Sequence, residues 1–550
     1  MDFKNFQMPY NINEKYSKAV AYFSMEFAID QSLKTYSGGL GFLAGSHMRS
    51  VYSLSQNLVG IGILWKYGYY DQLREHDQSM KVKWIEKNYN FLEDTGIKFQ
   101  IEIHDAPVWV KVWYLDPETF KTAPMFFLST DTPENDYVSQ TICHRLYDGN
   151  EATKIAQYIL LGKGGAKLLD EINLHRDIYH LNEAHGLPAA FYLLQKFKSV
   201  DKVKEKLVFT THTPEEAGNE KHDFNLCYKM SYFSGLSADE VRRVSGIYDN
   251  RFNHSLCALR LSHIANGVSQ LHGHVSRDMW YKHEGVCEIK AITNAQDYKY
   301  WADKQLYKAK EDNDDFRFDD RKKYLKKRAF KIVSDQTGNL FDPNVFTIVW
   351  ARRFAGYKRA DFLMRDKERF RNLVENKKYP VQVIWAGKPY PLDQPAIDTF
   401  NYIESQANLY HNVSILTGYE LQLSKRVKQA ADLWLNNPRV PREASGTSGM
   451  TACMNGAVNF STDDGWIPEF IKHGNNGFVI PKADYANMST EEQDQYDYEK
   501  MYEILENEIL PLYYEDYDTW RQIIKNGMDD VRFQFNSDRM AEEYYDQIYN

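Results

Sequence analysis

Three short stretches of this chain combine residue types that anion and sugar chemistry needs. Arg352-Arg353-Phe354-Ala355-Gly356-Tyr357-Lys358-Arg359 places four cations directly after the apolar run Val345 to Trp350. Cations at the carboxyl end of a buried strand suit a phosphoryl group, because ligands of open α/β sheets collect there and guanidinium and ammonium groups satisfy phosphate oxygens. A solvated helix face would instead pair its charges four residues apart. Pro441-Arg442-Glu443-Ala444-Ser445-Gly446-Thr447-Ser448-Gly449-Met450-Thr451 follows a second apolar run, Asp432 to Asn436. It offers a carboxylate for sugar hydroxyls beside a turn and helix start that can receive an anion, although it also reads as an ordinary capped helix. Tyr36-Ser37-Gly38-Gly39-Leu40-Gly41 follows Val20 to Met25 and precedes the helix-compatible run Leu43 to Leu54. Its glycines could bring N–H groups to an oxyanion, or could simply pack a helix on a sheet.

The histidines point away from metal. His180 and His185 are five residues apart, which does not place both imidazoles on one helical face, so no metal site is expected. His212 stands just past the run Leu207 to Thr210, where a substrate contact is plausible, while Asn294 and Trp301 alone would read as an Asx turn. The five cysteines lie far apart and form no C-x-x-C pair, which fits a reducing, cytoplasmic compartment.

Positioning such residues takes buried strands. Val20 to Met25, Ile178 to Leu181, Leu207 to Thr210, Val345 to Trp350, Val381 to Trp385, Val413 to Thr417 and Asp432 to Asn436 are continuously apolar, which marks parallel sheets covered by helices and an α/β class. Lys98 to Ile103, Val108 to Leu115 and Pro124 to Thr130 alternate instead, predicting a small antiparallel insertion at about 95–135. The charge-dense stretch between Trp301 and Asn344 suggests a boundary, giving a first domain over 1–310, a second over 311–520, and a helical segment over 521–550 that returns to the first, with Ser537 as a helix cap. A length of 550 residues suits two or three domains, and 39 Tyr, 30 Phe and 11 Trp are too many for disorder. The net charge of −9 provides no global field for nucleic acid or anionic membrane, and no apolar run is long enough to span a bilayer, so neither partner is expected.

Together these segments resemble the α-glucan (glycogen, maltodextrin) phosphorylases, from about Ala21 to Phe470. Gly38-Gly39-Leu40-Gly41 is similar to that family's Asn-Gly-Gly-Leu-Gly loop facing the phosphate, with Ser37 in place of asparagine. His212 resembles its sugar-contacting histidine, Asn294 and Trp301 keep its Asn-to-Trp spacing, and Arg353 and Lys358 match its phosphate-binding cations. Glu443 to Thr447 is identical to the stretch holding its sugar-binding glutamate and cofactor-phosphate turn. Two departures are plain: Phe42 replaces an arginine, and the chain is shorter than the large phosphorylases, without room for their long N-terminal regulatory extension. A third concerns the lysine that carries pyridoxal phosphate, because Thr451 stands in its place and a threonine cannot form an imine. The resemblance therefore implies pyridoxal phosphate bound without a covalent link at 451, or absent. Related nucleotide-sugar glucosyltransferases carry a glutamate at that position, which Thr451 does not match either.

What the resemblance implies is two Rossmann-like domains facing a cleft (the GT-B glycosyltransferase fold) and retaining glucosyl transfer between an α-1,4-glucan and phosphate or sugar phosphate. Arg353, Lys358, His212 and Glu443 would serve catalysis; Gly38, Gly39, Asn294 and Glu443 would bind substrate; Trp301, Arg352, Ser445, Gly446, Thr447 and Gly449 would hold phosphate or cofactor. The alternatives are a nucleotide-sugar-dependent glucosyltransferase of the same fold and a catalytically silent glucan-binding protein. The oligomeric state stays open, a homodimer included.

Overall fold

Val20–Phe23 is buried at all four residues and forms the strand around which the first sheet is built. Parallel neighbours flank it on both sides, Leu58–Ile63 and Ile178–Asn182. The computed structural model describes residues 2–550 and joins nine strands in this sheet. Their spatial order is Glu288–Ala291, Ile264–Gly267, Leu207–Thr210, Ile178–Asn182, Val20–Phe23, Leu58–Ile63, Met125–Ser129, Ala106–Leu115 and Glu93–Ile103. The first seven pair in parallel, and the last two are added by antiparallel pairing. The alternating stretch expected as a small insertion is thus the edge of the main sheet. Its pattern survives because one face is wet: Ile97, Phe99, Ile101 and Ile103 are buried while Lys98, Gln100 and Glu102 are exposed.

The second sheet is wholly parallel, in the order Val413–Leu416, Val381–Ala386, Phe346–Ala351, Leu433–Asn436, Val458–Thr462 and Gly477–Ile480. Numbered along the chain this is 3-2-1-4-5-6, the doubly wound order, and the parallel part of the first sheet repeats it with a seventh strand added. In such sheets the chain leaves strands one and four in opposite directions, so the loops behind their carboxyl ends diverge and can receive a ligand. Those strands are Phe346–Ala351 and Leu433–Asn436 in the second sheet, and Val20–Phe23 and Ile178–Asn182 in the first.

Two compact units result: 1–70, 84–297 and 537–550 in one, and 71–83 with 298–536 in the other. The divisions at 297/298 and 536/537 differ from the expected 310/311 and 520/521. The charged stretch is no linker but contains the helix Asp315–Thr337, which buries Leu325, Phe330 and Val333 in the second unit. Its buried lysines are satisfied from within. Lys322 Nζ donates to the carbonyls of Gln429, Ala431 and Asn455 at 3.2, 2.7 and 3.0 Å, and Lys326 meets Asp432 at 2.6 Å. Tyr517–Gln534 stays in the second unit, burying Trp520, Ile523 and Met528, so only 537–550 joins the first. There Tyr549 Oη meets His180 Nδ1 at 2.6 Å, and the Ser537 hydroxyl, expected to cap a helix, meets the Ser50 hydroxyl at 2.6 Å. The hairpin of Asp71–Arg74 and Met80–Lys83 counts with the second unit because Gln72 bridges the Gly387 carbonyl (2.9 Å) and the Gly418 N–H (3.0 Å). Among the described residues no helix is long and apolar enough to cross a membrane.

Candidate functional site

The second unit gathers its charges where strands one and four end. The Arg352 N–H still donates to the Ala386 carbonyl (3.1 Å), so its guanidinium leaves the strand end inside the protein, 5% exposed. Lys358 closes the turn Gly356–Lys358 and places Nζ 2.8 Å from Glu443 Oε2, while an Arg352 amino nitrogen lies 3.6 Å from the same oxygen. Burial pushes the Glu443 carboxyl up, but Lys358 and Arg352 outweigh it and hold it below the ordinary glutamate range. Arg353 is exposed, and Arg359 is spent on Asp494 and Asp497, both at 2.9 Å. The four sequence cations therefore divide: Arg352 and Lys358 converge on Glu443, one cation is exposed, and one is structural.

The turn after Glu443 is held from behind. Asp464 Oδ2 accepts the Glu443 N–H at 2.8 Å, and the Trp466 N–H donates to the Ser445 carbonyl at 3.0 Å. Gly465 permits this contact, since its φ is +60° and a Cβ there would lie 2.3 Å from the Ser445 oxygen. Burial raises the Asp464 pKa to about 7, with the Glu443 charge adding to it. Ser448 Oγ lies 3.4 Å from Arg352, and Gly446, Thr447 and Gly449 complete the turn into the helix Ser448–Cys453. Arg352 Nε and Ser445 Oγ are buried with no hydrogen-bond partner, an unspent donor set that fits an anion.

Thr451 is buried and its hydroxyl donates to the Ser448 carbonyl (3.1 Å), so this helix offers no amine to a cofactor aldehyde. An amine is nonetheless close in the fold. Lys428, on the neighbouring helix Leu421–Ala430, is fully buried with Nζ 4.1 Å from the Trp301 ring centroid. The residues present thus fit a phosphorylated aldehyde such as pyridoxal phosphate, with anion donors and an amine in the same unit.

In the first unit the glycine run splits by role. Gly38 and Gly39 face open space, whereas a Cβ on Gly41 would lie 2.5 Å from Tyr36 Cβ, so that glycine serves packing. The buried Glu26, just past Val20–Phe23, accepts the N–H groups of Ser37 (2.7 Å) and Gly38 (3.1 Å) and the Tyr147 hydroxyl (2.6 Å). His212 Nε2 lies 2.8 Å from Asn182 Oδ1, and its N–H meets Glu183 Oε1 at 2.5 Å. Burial, with His272 and His185 nearby, lowers the His212 pKa to about 3, so its ring is neutral. His180 is held between Tyr549 and Thr210 in the core, while the His185 ring lies 5.1 Å from that of Tyr158. Asn294 is buried with Oδ1 unpartnered. Gly38, Gly39, His212 and Asn294 belong to the first unit; Trp301, Arg352, Lys358, Glu443 and the 445–449 turn belong to the second.

Glu26, Asn182, Glu183, Asp464 and Lys428 escaped the sequence reading. All but Lys428 stand at or just past the carboxyl end of a strand, so scanning every strand end for polar residues would have found them. Lys428 lies in Lys425-Arg426-Val427-Lys428, which reads as a solvated helix face.

The family model for carbohydrate phosphorylases matches residues 290–506. An uncharacterized protein of Methanocaldococcus jannaschii is 45% identical over 97% of this chain and 100% of its own length. The maltodextrin phosphorylase of Thermococcus litoralis is 32% identical over 98% of this chain and 71% of its own, and the glycogen phosphorylase of Aquifex aeolicus is 28% identical over 98% and 87%. Similarity of this extent, with the family model lying over Asn294 to Trp301 and the Glu443 to Gly449 turn alike, makes the chain a member of the carbohydrate phosphorylase family.

Proposed function

We propose that this protein transfers glucosyl groups with retention between α-1,4-glucans and phosphate, forming glucose 1-phosphate in the phosphorolytic direction. The observation that carries the reading is the Glu443 carboxylate, its side chain only 10% exposed, between Lys358 and Arg352 and next to a turn with unspent donors. The reaction needs this pairing, because its transition state carries oxocarbenium character on the sugar and negative charge on the phosphate. Lys358 and Arg352, with the longer-range charge of Arg353, neutralise the phosphate. Glu443 accepts sugar hydroxyls, and does so most strongly while ionised, the state that its lowered pKa favours. In the first unit His212 and Asn294 are read as sugar-hydroxyl contacts, where a neutral His212 acts as a hydrogen-bonding group rather than a proton donor. The attacking phosphate protonates the leaving glycosidic oxygen. Each unit is read as a Rossmann-like domain of the GT-B type.

Trp301, Arg352, Ser445, Gly446, Thr447 and Gly449 would hold pyridoxal phosphate, which when bound supplies a second phosphate beside the reacting one. The missing lysine at Thr451 keeps a second reading, a nucleotide-sugar-dependent glucosyltransferase, although Thr451 matches neither family's residue. Incubation with maltodextrin and inorganic phosphate against maltodextrin and a nucleotide-glucose decides between them. Glucose 1-phosphate from the first mixture alone is expected, and glucan extension only in the second would overturn the proposal.

A further inference from the structure

Lys428 has no role in the reaction as described, yet it is fully buried within the second unit. Its helix, Leu421–Ala430, touches both Phe346–Ala351, the strand that leads into Arg352, and Ser448–Cys453, the helix that carries Thr451. The Nζ atom stands over the Trp301 ring. Burial, with the positive charge of Arg352 adding to it, pushes its pKa well below the ordinary lysine range. An amine that sheds its proton more readily is more available as a nucleophile toward carbonyl carbon, whereas an ammonium is not one. A lysine that served only packing could be replaced by an apolar side chain of similar length without the cost of desolvating an amine.

We propose that Lys428 is the amine that captures the aldehyde of a phosphorylated, planar cofactor of the pyridoxal phosphate type, taking over from the neighbouring helix the task that Thr451 cannot perform. The identity of the cofactor rests on the phosphorylase reading. The chemistry balances without a further reactant: the Nζ lone pair forms a bond to the aldehyde carbon, both amine protons pass to the carbonyl oxygen, and that oxygen departs as water, leaving C=N. The Trp301 ring, with Nζ over its face, holds the amine in place, and Arg352 Nε with Ser445 Oγ offers unspent donors to the phosphate. The link thus forms one helix away from position 451.

The test uses the full chain with equimolar pyridoxal 5'-phosphate, borohydride reduction and peptide mass mapping. One label per chain on Lys428 is expected, with an imine absorbance band that falls at least tenfold in Lys428→Arg. Labels scattered over exposed lysines, no label, or a band unchanged in Lys428→Arg would overturn the inference. Should the arginine variant fail to fold, as circular dichroism would show, mapping of the parent protein decides alone. Phosphorolysis of maltodextrin on the same sample separates the two proposals. Turnover without a Lys428 label defeats this inference only, and a Lys428 label without turnover supports it while defeating the phosphorylase reading.

Discussion

The glycine loop at Gly38 and the turn at Ser445 to Gly449 read alike in sequence, as anion sites at helix starts, and the structure gives them opposite charge. In the loop, the Ser37 and Gly38 N–H groups already face the Glu26 carboxylate at 2.7 and 3.1 Å. At the turn the carboxylate is Glu443, which is itself drawn off by Lys358 and Arg352, while the Ser445 hydroxyl and Arg352 Nε stay unspent. A glycine turn therefore reports how closely backbone can approach something, not what that something is. The first turn is neutralised from within and positions a helix; the second has charge to give a ligand.

Lys358→Ala should test this contrast hardest. It removes the nearer cation from Glu443 and should lower kcat for phosphorolysis by about 10²- to 10³-fold, the usual loss for one preorganised donor. It should also lower stability in denaturant titration by about 1.5 to 3 kcal/mol, because a largely covered carboxylate loses its closest partner. Adding Arg352→Ala should add little to the kinetic loss, since groups acting as a unit are not additive. Independent effects in that cycle would reduce the turn to a chance cluster of charges.

Glu443→Gln comes next, keeping the shape and losing the charge. One charge-assisted hydrogen bond is worth about 1.5 to 3 kcal/mol, so kcat should fall by roughly 10- to 150-fold at saturating substrate. Glu26→Gln should instead act on the scaffold, lowering stability by about 1 to 2 kcal/mol while the KM for phosphate stays level. A tenfold rise in that KM would make the two turns alike after all.

The smallest effect belongs to Asp464, which backs the second turn. Burial raises its pKa from 3.8 to about 7, so the folded state holds its proton more tightly than the unfolded chain does. The stability this confers is fully present below about pH 4 and is lost as pH rises to about 7. Asp464→Asn can still accept the Glu443 N–H and should flatten the melting temperature across that window. An unchanged slope would remove Asp464 as its source.

Regular structure was legible wherever burial is two-sided. Val381 to Trp385 and Leu207 to Thr210 are apolar at every position because helices cover both faces, and the strands appear within a residue of those runs. Lys322 and Lys326 misled the boundary, since a lysine satisfied by carbonyls at 2.7 to 3.2 Å, or by a buried aspartate, looks in sequence like any solvated one. At the candidate site, Glu443 and the residues around it were legible because they are contiguous. Glu26 and Asp464 were not, because their meaning arises only from hydrogen bonds to residues outside their own short motif: Glu26 is 11 residues from Ser37, and Asp464 is 21 from Glu443.

The chain passes between the two units four times, at 70/71, 83/84, 297/298 and 536/537. On a ribosome this order has a cost in time. Ser50 must wait 487 residues for Ser537, and His180 must wait 369 for Tyr549. At the usual 5 to 20 residues per second, the first of these waits lasts roughly 25 to 100 seconds. Throughout it the apolar surface that Met540, Tyr544 and Ile548 will cover, around Val20 and Met48, lies open beneath a nascent chain that is still producing another unit. The usual sequence of biogenesis is thereby reversed: the half made first is finished last, and its exposed core is what a chaperone would have to guard.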